Sequence, residues 1–235
     1  MATWNEPSQT TQARNQEAVY QTALVNYLIS MARSVEGAVN RAVEALRTRN
    51  ETLASEIFLG EPRINEMEIV IDEHAVRLLR AGTLDEEGIR FVVGTLKINN
   101  DLERMGDLAV NIAQRVISLA QMPKVEAPPE IEPMVAAVRA MVSKSLGAMI
   151  YRNIVLASEV LESDDIVDRY RDQVFDHLLS RMRKDPGQVG PNVHLILVAR
   201  HLERIADHAT NIAEDVIFWV RGLYIRHRRG QTPGA

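Results

Sequence analysis

Residues 102–117 read LERMGDLAVNIAQRVI, and residues 202–217 read LERIADHATNIAEDVI. Ten of these sixteen positions are identical at a constant offset, which indicates that the chain contains an internal duplication. Within each copy, apolar residues recur every three or four positions, as they do on the buried face of an amphipathic helix. The two stretches therefore predict two related helices, one in each half of the chain.

A proline-rich segment, QMPKVEAPPEIEP at residues 121–133, separates the two copies. Its four prolines forbid a continuous helix, because proline lacks an amide donor and clashes with the preceding turn. Each half contains two more long amphipathic stretches before the duplicated one. Short loops between long helices favour antiparallel neighbours. The sequence therefore predicts an all-α fold of two tandem three-helix bundles, six long helices related by a pseudo-twofold duplication.

The predicted boundaries follow the interruptions of the helical pattern. From the first residue onward, we expect a disordered tail (1–13), a first bundle (14–122), a linker (123–133), a second bundle (134–225) and a basic, flexible tail (226–235). The six helices are expected near residues 15–48, 51–81, 85–121, 131–162, 165–184 and 190–225. The second half therefore has a predicted helix break at Ser163-Asp164.

Composition narrows the classes of function. The formal net charge of −5 disfavours a general nucleic-acid binder, because Lys and Arg supply most non-specific affinity for phosphate backbones. The chain has no cysteine, so a bound metal needs carboxylate, amide or imidazole ligands. The polar N-terminus and the short uncharged stretch 20–32 predict a cytoplasmic protein without a membrane span. The run 226–229 is read first as a solvated helix end and second as a contact with a membrane or partner.

An acidic row follows the edge of the apolar face on each duplicated helix, because its members are spaced one helical turn apart. The rows are Glu103, Asp107 and Asn111 in the first half, and Glu203, Asp207 and Asn211 in the second. Like charges at this spacing destabilise an isolated helix by roughly 0.2 to 0.5 kcal/mol. A bound cation would remove this repulsion, and such oxygen ligands suit magnesium, manganese, iron or zinc.

The second predicted helix of each half supplies more candidate ligands. They are Glu61, Asn65, Glu68 and Asp72 in the first half, and Asp164, Asp168 and Asp172 in the second. A site with several ligands between two helices is therefore feasible. Asp165 is expected to favour a helix start through capping and the helix dipole, without binding a metal.

Arginines that neutralise the rows are the alternative to a metal. Arg104 lies about 100 degrees around the helix from Glu103, so we expect it to pair across the bundle or to face solvent. His208 lies off the acidic row and is expected to pack or to lie at the surface. The chain has no Glu-x-x-His pair, which argues against a ferritin-like di-iron bundle.

The stretches NDLERMGDLAVNIAQ at 100–114 and RHLERIADHATNIAEDVI at 200–217 resemble the signature stretches of the PhoU family. The resemblance covers nearly the full chain. It implies two three-helix bundles, a cytoplasmic homo-oligomer such as a dimer, and bound iron, zinc or related metals, including multinuclear clusters. The implied metal motifs are Glu103 with Asp107 and Glu203 with Asp207.

The same resemblance implies a non-catalytic regulator. Its expected partners are a phosphate-specific ABC transporter, through which it would associate peripherally with the membrane, and a phosphate-sensing histidine kinase. It would restrain phosphate uptake and the starvation response when phosphate is plentiful. Two alternatives remain open: a metal-dependent phosphohydrolase, and a structural or chaperone-like bundle without metal. Because Asn65 replaces an acid in the first half, metal is expected in the second half first.

Overall fold

Six long helices make up the part of the chain that the computed structural model describes, which is the backbone of residues 9–224 with side chains from Val19 onward. They are α1 (Gln9–Thr48), α2 (Glu51–Ala81), α3 (Glu86–Ala120), α4 (Ile131–Tyr151), α5 (Ile154–Lys184) and α6 (Val189–Arg221). A 3₁₀ turn, Pro186–Gln188, precedes α6. The described residues contain no strand, which confirms the predicted all-α class.

The helices form two antiparallel three-helix bundles that meet along α3 and α6. α1, α2 and α3 pack together, as do α4, α5 and α6, and the contact between α3 and α6 is the most extensive of any helix pair. The predicted apolar face of α3 is confirmed as core, with Leu102, Met105 and Ile112 fully buried. The duplicated residues Leu202 and Ile205 are buried in the same way. The duplicated helices thus form the centre of the molecule.

A glycine allows α3 and α6 to approach closely. A Cβ added at Gly94 would lie 3.3 Å from the Cβ of Trp219, which is tighter than most such contacts. The Trp219 ring also packs on Phe91, with 5.1 Å between ring centroids. These contacts hold the end of α6 against the beginning of α3.

The predicted break at Ser163-Asp164 is wrong, because α5 runs without interruption from Ile154. The helix break lies at Arg152, which has a left-handed φ of 49°, and Asn153, whose side chain caps the amides of Val155 and Leu156. The α1–α2 turn is built in the same way from Arg49, with a φ of 50°, and the capping residue Asn50. Asp165 therefore lies inside a helix rather than at its start, contrary to expectation.

Both of these turns are marked by a repeated sequence pattern, which the periodicity of apolar residues does not show. The pattern Arg-Asn-x-x-Leu-Ala-Ser-Glu occurs at residues 49–56 and again at residues 152–159. The second helices of the two halves are therefore related by an offset of 103 residues, and the third helices by an offset of 100.

Other boundaries differ by a few residues. α1 begins at Gln9, inside the segment 1–13 for which disorder was predicted, and the sequence from Gln9 to Arg14 has no glycine or proline to interrupt a helix. α4 begins at Ile131, because Pro133 is tolerated in a first helical turn. α6 ends at Arg221, since Gly222 adopts a φ of 69°. The basic run 226–229 lies outside the described residues.

Among the described helices, α4 is the one with the length and apolar composition of a membrane span. Half of its most apolar stretch is buried within the protein. Its buried side chains, including Met134, Val138 and Met141, belong to the core of the second bundle. This packing accounts for the apolar composition of α4.

The cap at the start of α5 can be tested by mutation. Replacing Asn153 with Ala should lower the free energy of unfolding by about 1 kcal/mol, because two helix amides lose their acceptor. Asn153→Asp should retain most of the stability, and Ser163→Ala should change it little, because Ser163 lies within α5. Chemical denaturation of the three variants gives the comparison. A larger loss for Ser163→Ala than for Asn153→Ala would contradict this helix boundary.

Candidate metal-binding clusters

The first acidic cluster lies between α2 and α3. Glu68 on α2 interacts electrostatically with Asp72 on the same helix and with Asp107 on α3. Glu103 in turn interacts with Asp107 and Glu68. The buried Asn99 orders this region, since its side-chain amide donates to the Asp72 carboxylate over 2.9 Å and to the Glu68 backbone carbonyl over 3.1 Å. Four predicted ligands from two helices are thereby brought into one neighbourhood.

Two of these carboxyl groups have raised pKa values. Burial raises the pKa of Glu103, and the charge of Asp107 and a hydrogen bond to its carboxyl group raise it further. Burial and the charge of Asp72 raise the pKa of Glu68. A raised carboxyl pKa means that the protein disfavours the ionised form at that position. The cluster therefore carries negative charge that its surroundings do not fully neutralise.

Arg104 partly neutralises this cluster, so the prediction that it turns away from its own row is wrong. Its Nε lies 3.3 Å from Oε2 of Glu103, and its Nη1 lies 3.6 Å from Oδ2 of Asp107. The long arginine arm can bend back over the helix, and residues three apart lie on neighbouring turns. Arg104 remains 54% exposed, and Oε2 of Glu103 has no hydrogen bond, so the neutralisation is loose.

The second acidic cluster lies between α5 and α6. Burial, together with the charges of Glu203, Asp164 and Asp168, raises the pKa of Asp207 to about 6. Oγ1 of Thr210 donates to Asp164 over 3.3 Å. Asp207 forms no hydrogen bond or ion pair with another side chain that the structure describes. The second half thus also brings four predicted ligands together.

Arg171 makes the second cluster different from the first. Its Nη1 donates to Glu203 over 2.6 Å and lies 3.5 Å from Asp168, while its Nη2 lies 3.0 Å from Asp172. An arginine from a neighbouring helix was the alternative to metal, but Arg171 itself was not predicted. The repeat at residues 49–56 and 152–159 aligns Arg171 with Glu68 at an offset of 103 residues. This alignment could have shown that an arginine replaces an acidic residue in the second cluster.

The seam between the halves contains a polar contact that the sequence did not reveal. Asp101 of α3 is buried, and its Oδ1 lies 2.7 Å from Nδ1 of His208 and 3.1 Å from Nδ2 of Asn211, both on α6. Lys97 lies 3.2 Å from Asp215 in the same seam. His208 therefore binds an acid of the other half, which is more specific than the packing or surface role expected. The Asn211 side-chain amide donates across the seam.

The oxygen atoms of these side chains are suitable ligands for a divalent cation, but they are not already arranged as a complete coordination shell. Among the side chains that the structure describes, from Val19 to Tyr224, no three Asp, Glu or His residues are arranged so that they could jointly hold a metal ion. The first cluster nevertheless offers paired carboxylates with raised pKa values, and a hydrated cation such as Mg²⁺ is commonly held by one or two carboxylates plus waters. Glu61 lies about two helical turns before Glu68 on α2 and corresponds to Asp164 at the offset of 103 residues. Asn111 continues the α3 row one turn beyond Asp107.

Comparison with known proteins identifies the family. The family model described as the PhoU domain matches residues 28–116 and again residues 131–216. The chain belongs to the PhoU family. The two matched segments correspond to the two bundles, so the PhoU domain occurs twice, as the duplication predicts.

Curated PhoU relatives are similar over most of their length. A protein of Aquifex aeolicus named phosphate-specific transport system accessory protein PhoU homolog is 37% identical over 207 residues, which cover 88% of this chain and 94% of the relative. A Pseudomonas aeruginosa protein of the same name is 36% identical over 205 residues, which cover 86% of this chain and 84% of the relative.

Solved PhoU structures have the same fold. The crystal structure of PhoU from Pseudomonas aeruginosa matches with a TM-score of 0.84 and 34% identity, covering 88% of this chain and 99% of that one. The crystal structure of the phosphate transport system regulatory protein PhoU from Streptococcus pneumoniae has a TM-score of 0.81 at 23% identity and covers 89% of this chain and 99% of that one. The predicted family and bundle architecture are thus confirmed.

The raised pKa of Asp207 predicts a pH-dependent stability. Near pH 3.8, the ordinary value, the folded carboxyl keeps its proton. Between pH 3.8 and about 6 the unfolded chain releases this proton more readily, so the folded state loses stability as pH rises, and the full loss is present above about pH 6. Because Asp207 is exposed in part, screening reduces the effect to about 1 kcal/mol.

Asp207→Asn should therefore stabilise the protein by about 1 kcal/mol at pH 8 and leave its stability unchanged at pH 3.5. Denaturation of the metal-free protein in chelator gives the measurement at both pH values. The exposed Asp176 of α5 supplies a control variant, Asp176→Asn. Equal effects of the two substitutions at both pH values would contradict the unfavourable environment of Asp207.

Proposed function

We propose that this PhoU-family protein is a divalent-cation-binding accessory and regulatory protein of a phosphate-specific transport system. The naming of the curated relatives as phosphate-specific transport system accessory proteins supports the transport role. The partly desolvated, mutually repelling carboxylates that recur between the second and third helix of each half support the cation. The proposed role is regulatory and non-catalytic, in keeping with the description of those relatives as accessory proteins.

The cation in the first half would be held by Glu103 and Asp107 of α3, with Glu68 and Asp72 of α2 close by. When bound, the ion supplies positive charge between carboxylates that otherwise repel one another. This charge would favour the ionised forms of Glu103 and Glu68, which the protein alone disfavours. Because the carboxylates come from α2 and α3, the ion would also hold the two helices together.

We propose that the first half binds the cation more readily, which reverses the order expected from Asn65. In the second half, Arg171 already supplies a positive charge 2.6 Å from Glu203. A cation there must share Glu203 with the guanidinium or use Asp164, Asp168 and Asp207. In the first half the corresponding position is Glu68, which adds a carboxylate instead of an arginine. Iron and zinc, which the family resemblance implies, and manganese and magnesium, which oxygen ligands also suit, all accept these ligands.

The regulatory proposal follows the same resemblance. In the cytoplasm, the protein would act on the phosphate-specific ABC transporter and the phosphate-sensing histidine kinase, and would restrain uptake and the starvation response when phosphate is ample. A cation that ties the second and third helices of a half together would stabilise the surface offered to such partners. Binding of the cation and of a partner would then favour each other.

Metal binding can be measured by thermal stability. Mn²⁺ at about 100 times its Kd should raise the Tm of the chelator-treated protein by roughly 5 to 10 °C, because a ligand specific to the folded state adds about 2.7 kcal/mol. Glu103→Gln combined with Asp107→Asn should remove most of this increase. Arg171→Gln should enlarge it, since the second cluster then loses its competing positive charge.

The matched control removes two exposed carboxylates of α2, Glu56 and Glu66, by substitution with Gln. This control should keep the full Mn²⁺ response. The metal proposal is abandoned if Mn²⁺, Fe²⁺ and Zn²⁺ all leave the Tm of the wild-type protein unchanged.

Regulation requires a test in cells. Deleting the gene should raise phosphate uptake and expression of phosphate-starvation genes in medium with ample phosphate, and the wild-type gene should restore repression. The Glu103→Gln/Asp107→Asn variant should restore it poorly, provided that immunoblotting shows equal protein levels. Unchanged uptake and expression in the deletion strain would count against the regulatory role, whatever the metal measurement shows.

A further inference from the structure

A cleft of about 540 Å³ lies between α5 and α6, alongside the second acidic cluster. Three arginines line it: Arg171 from α5, and Arg200 and Arg204 from α6. Its volume is within the range of small-molecule sites, which is about 300 to 1,000 Å³. Neither the metal proposal nor the fold accounts for this concentration of guanidinium groups.

The arginines of this cleft differ in their partners. Arg171 is occupied by Asp168, Asp172 and Glu203. The guanidinium groups of Arg200 and Arg204 form no hydrogen bond or ion pair with any residue that the structure describes. They are one helical turn apart on α6, so they can act on one ligand together.

The duplication shows why these two arginines are available. In the first half the corresponding residues are Asn100 and Arg104, and Arg104 is engaged by Glu103 and Asp107. In the second half Arg171 takes over the neutralisation of Glu203. This leaves Arg204 directed to the cleft, and Arg200 adds a second charge where the first half has an amide. The paired arginines are thus particular to the second half.

The apolar part of the cleft wall indicates what else the ligand contains besides a charged group. Phe175, which is 46% exposed, lines the cleft together with Ile196 and Ala199, so part of the wall is apolar. Two guanidinium groups match a doubly charged phosphate group, because each can donate two parallel hydrogen bonds to its oxygens. A flat organic group can pack on the exposed ring of Phe175.

We propose that this cleft binds an organic phosphate, with Arg200 and Arg204 donating hydrogen bonds to the phosphate group and Phe175 contacting the organic part. Three carboxylates also line the cleft, those of Asp172, Glu203 and Asp207. Arg171 pairs with the first two, whereas the negative charge of Asp207 has no such partner among the described residues and opposes an anion. A divalent cation on Asp207 would remove this opposition, so Mn²⁺ should strengthen binding. This last expectation rests on the proposed function, whereas the arginine contacts do not.

Titration calorimetry with ADP, pyrophosphate and adenosine tests the proposal, first in chelator and then with Mn²⁺. Wild-type protein should bind ADP and pyrophosphate and should bind adenosine at least about tenfold more weakly than ADP. Arg200→Gln combined with Arg204→Gln should weaken ADP binding by about tenfold or more. Phe175→Leu should weaken ADP binding while leaving pyrophosphate binding unchanged.

The control variant carries Arg77→Gln and Arg80→Gln, which remove two exposed arginines of α2 and leave the cleft intact. It should bind ADP as the wild type does, and circular dichroism should show that every variant is folded. The proposal is overturned if neither ADP nor pyrophosphate binds with or without Mn²⁺, or if the control loses as much affinity as the cleft variant. Binding in chelator that Mn²⁺ does not change supports the cleft while counting against a cation on Asp207.

Discussion

The contact of Asp101 with His208 and Asn211 across the seam of α3 and α6 constrains the rest of the structure. A buried carboxylate without partners would be costly, and removing one member of a buried pair typically costs about 3–5 kcal/mol. Asp101 finds both partners on the other half of the chain. The two bundles must therefore meet at this register, and Lys97 with Asp215 reinforces it.

The position of the acidic clusters depends on that register. His208 and Asn211 face α3, while Asp207 and Glu203 lie on the side of α6 that meets α5. The polar residues of α6 thus lie on two sides of the helix, one facing α3 in the seam and the other facing α5 in the second acidic cluster. In the first half, α3 is arranged in the same way, with Asp101 in the seam and Glu103 and Asp107 beside α2. Rotating either helix to improve its cluster would break the seam.

The duplication gives the two halves the same three-helix bundle, but residues of different charge occupy several equivalent positions. Glu68 in the first half corresponds to Arg171 in the second, and Asn100 corresponds to Arg200. The first cluster therefore has a carboxylate on its second helix where the second cluster has an arginine, and an arginine-lined cleft adjoins the second cluster. The two halves have the same fold and offer different chemistry.

The fold could be predicted from sequence because it depends on patterns within helices. Three features determine helices and helix breaks within short segments of the chain. They are the apolar spacing around Leu102 and Met105, the prolines of the linker and the duplicated stretches. The missed break at Arg152 lacks glycine and proline, since an arginine takes the left-handed conformation there. The seam contacts of Asp101 and the reach of Arg171 to Glu203 depend on side chains from distant segments, which periodicity does not specify.

We propose that a divalent cation relieves the repulsion within these clusters. Crystals grown with Mn²⁺ and measured near the manganese absorption edge would test it most directly. We predict an anomalous-difference peak in contact with the carboxylates of Glu103 and Asp107, stronger than any peak beside Arg171. Strong peaks elsewhere together with none at Glu103 and Asp107 would contradict the claim, as would a map without any manganese peak.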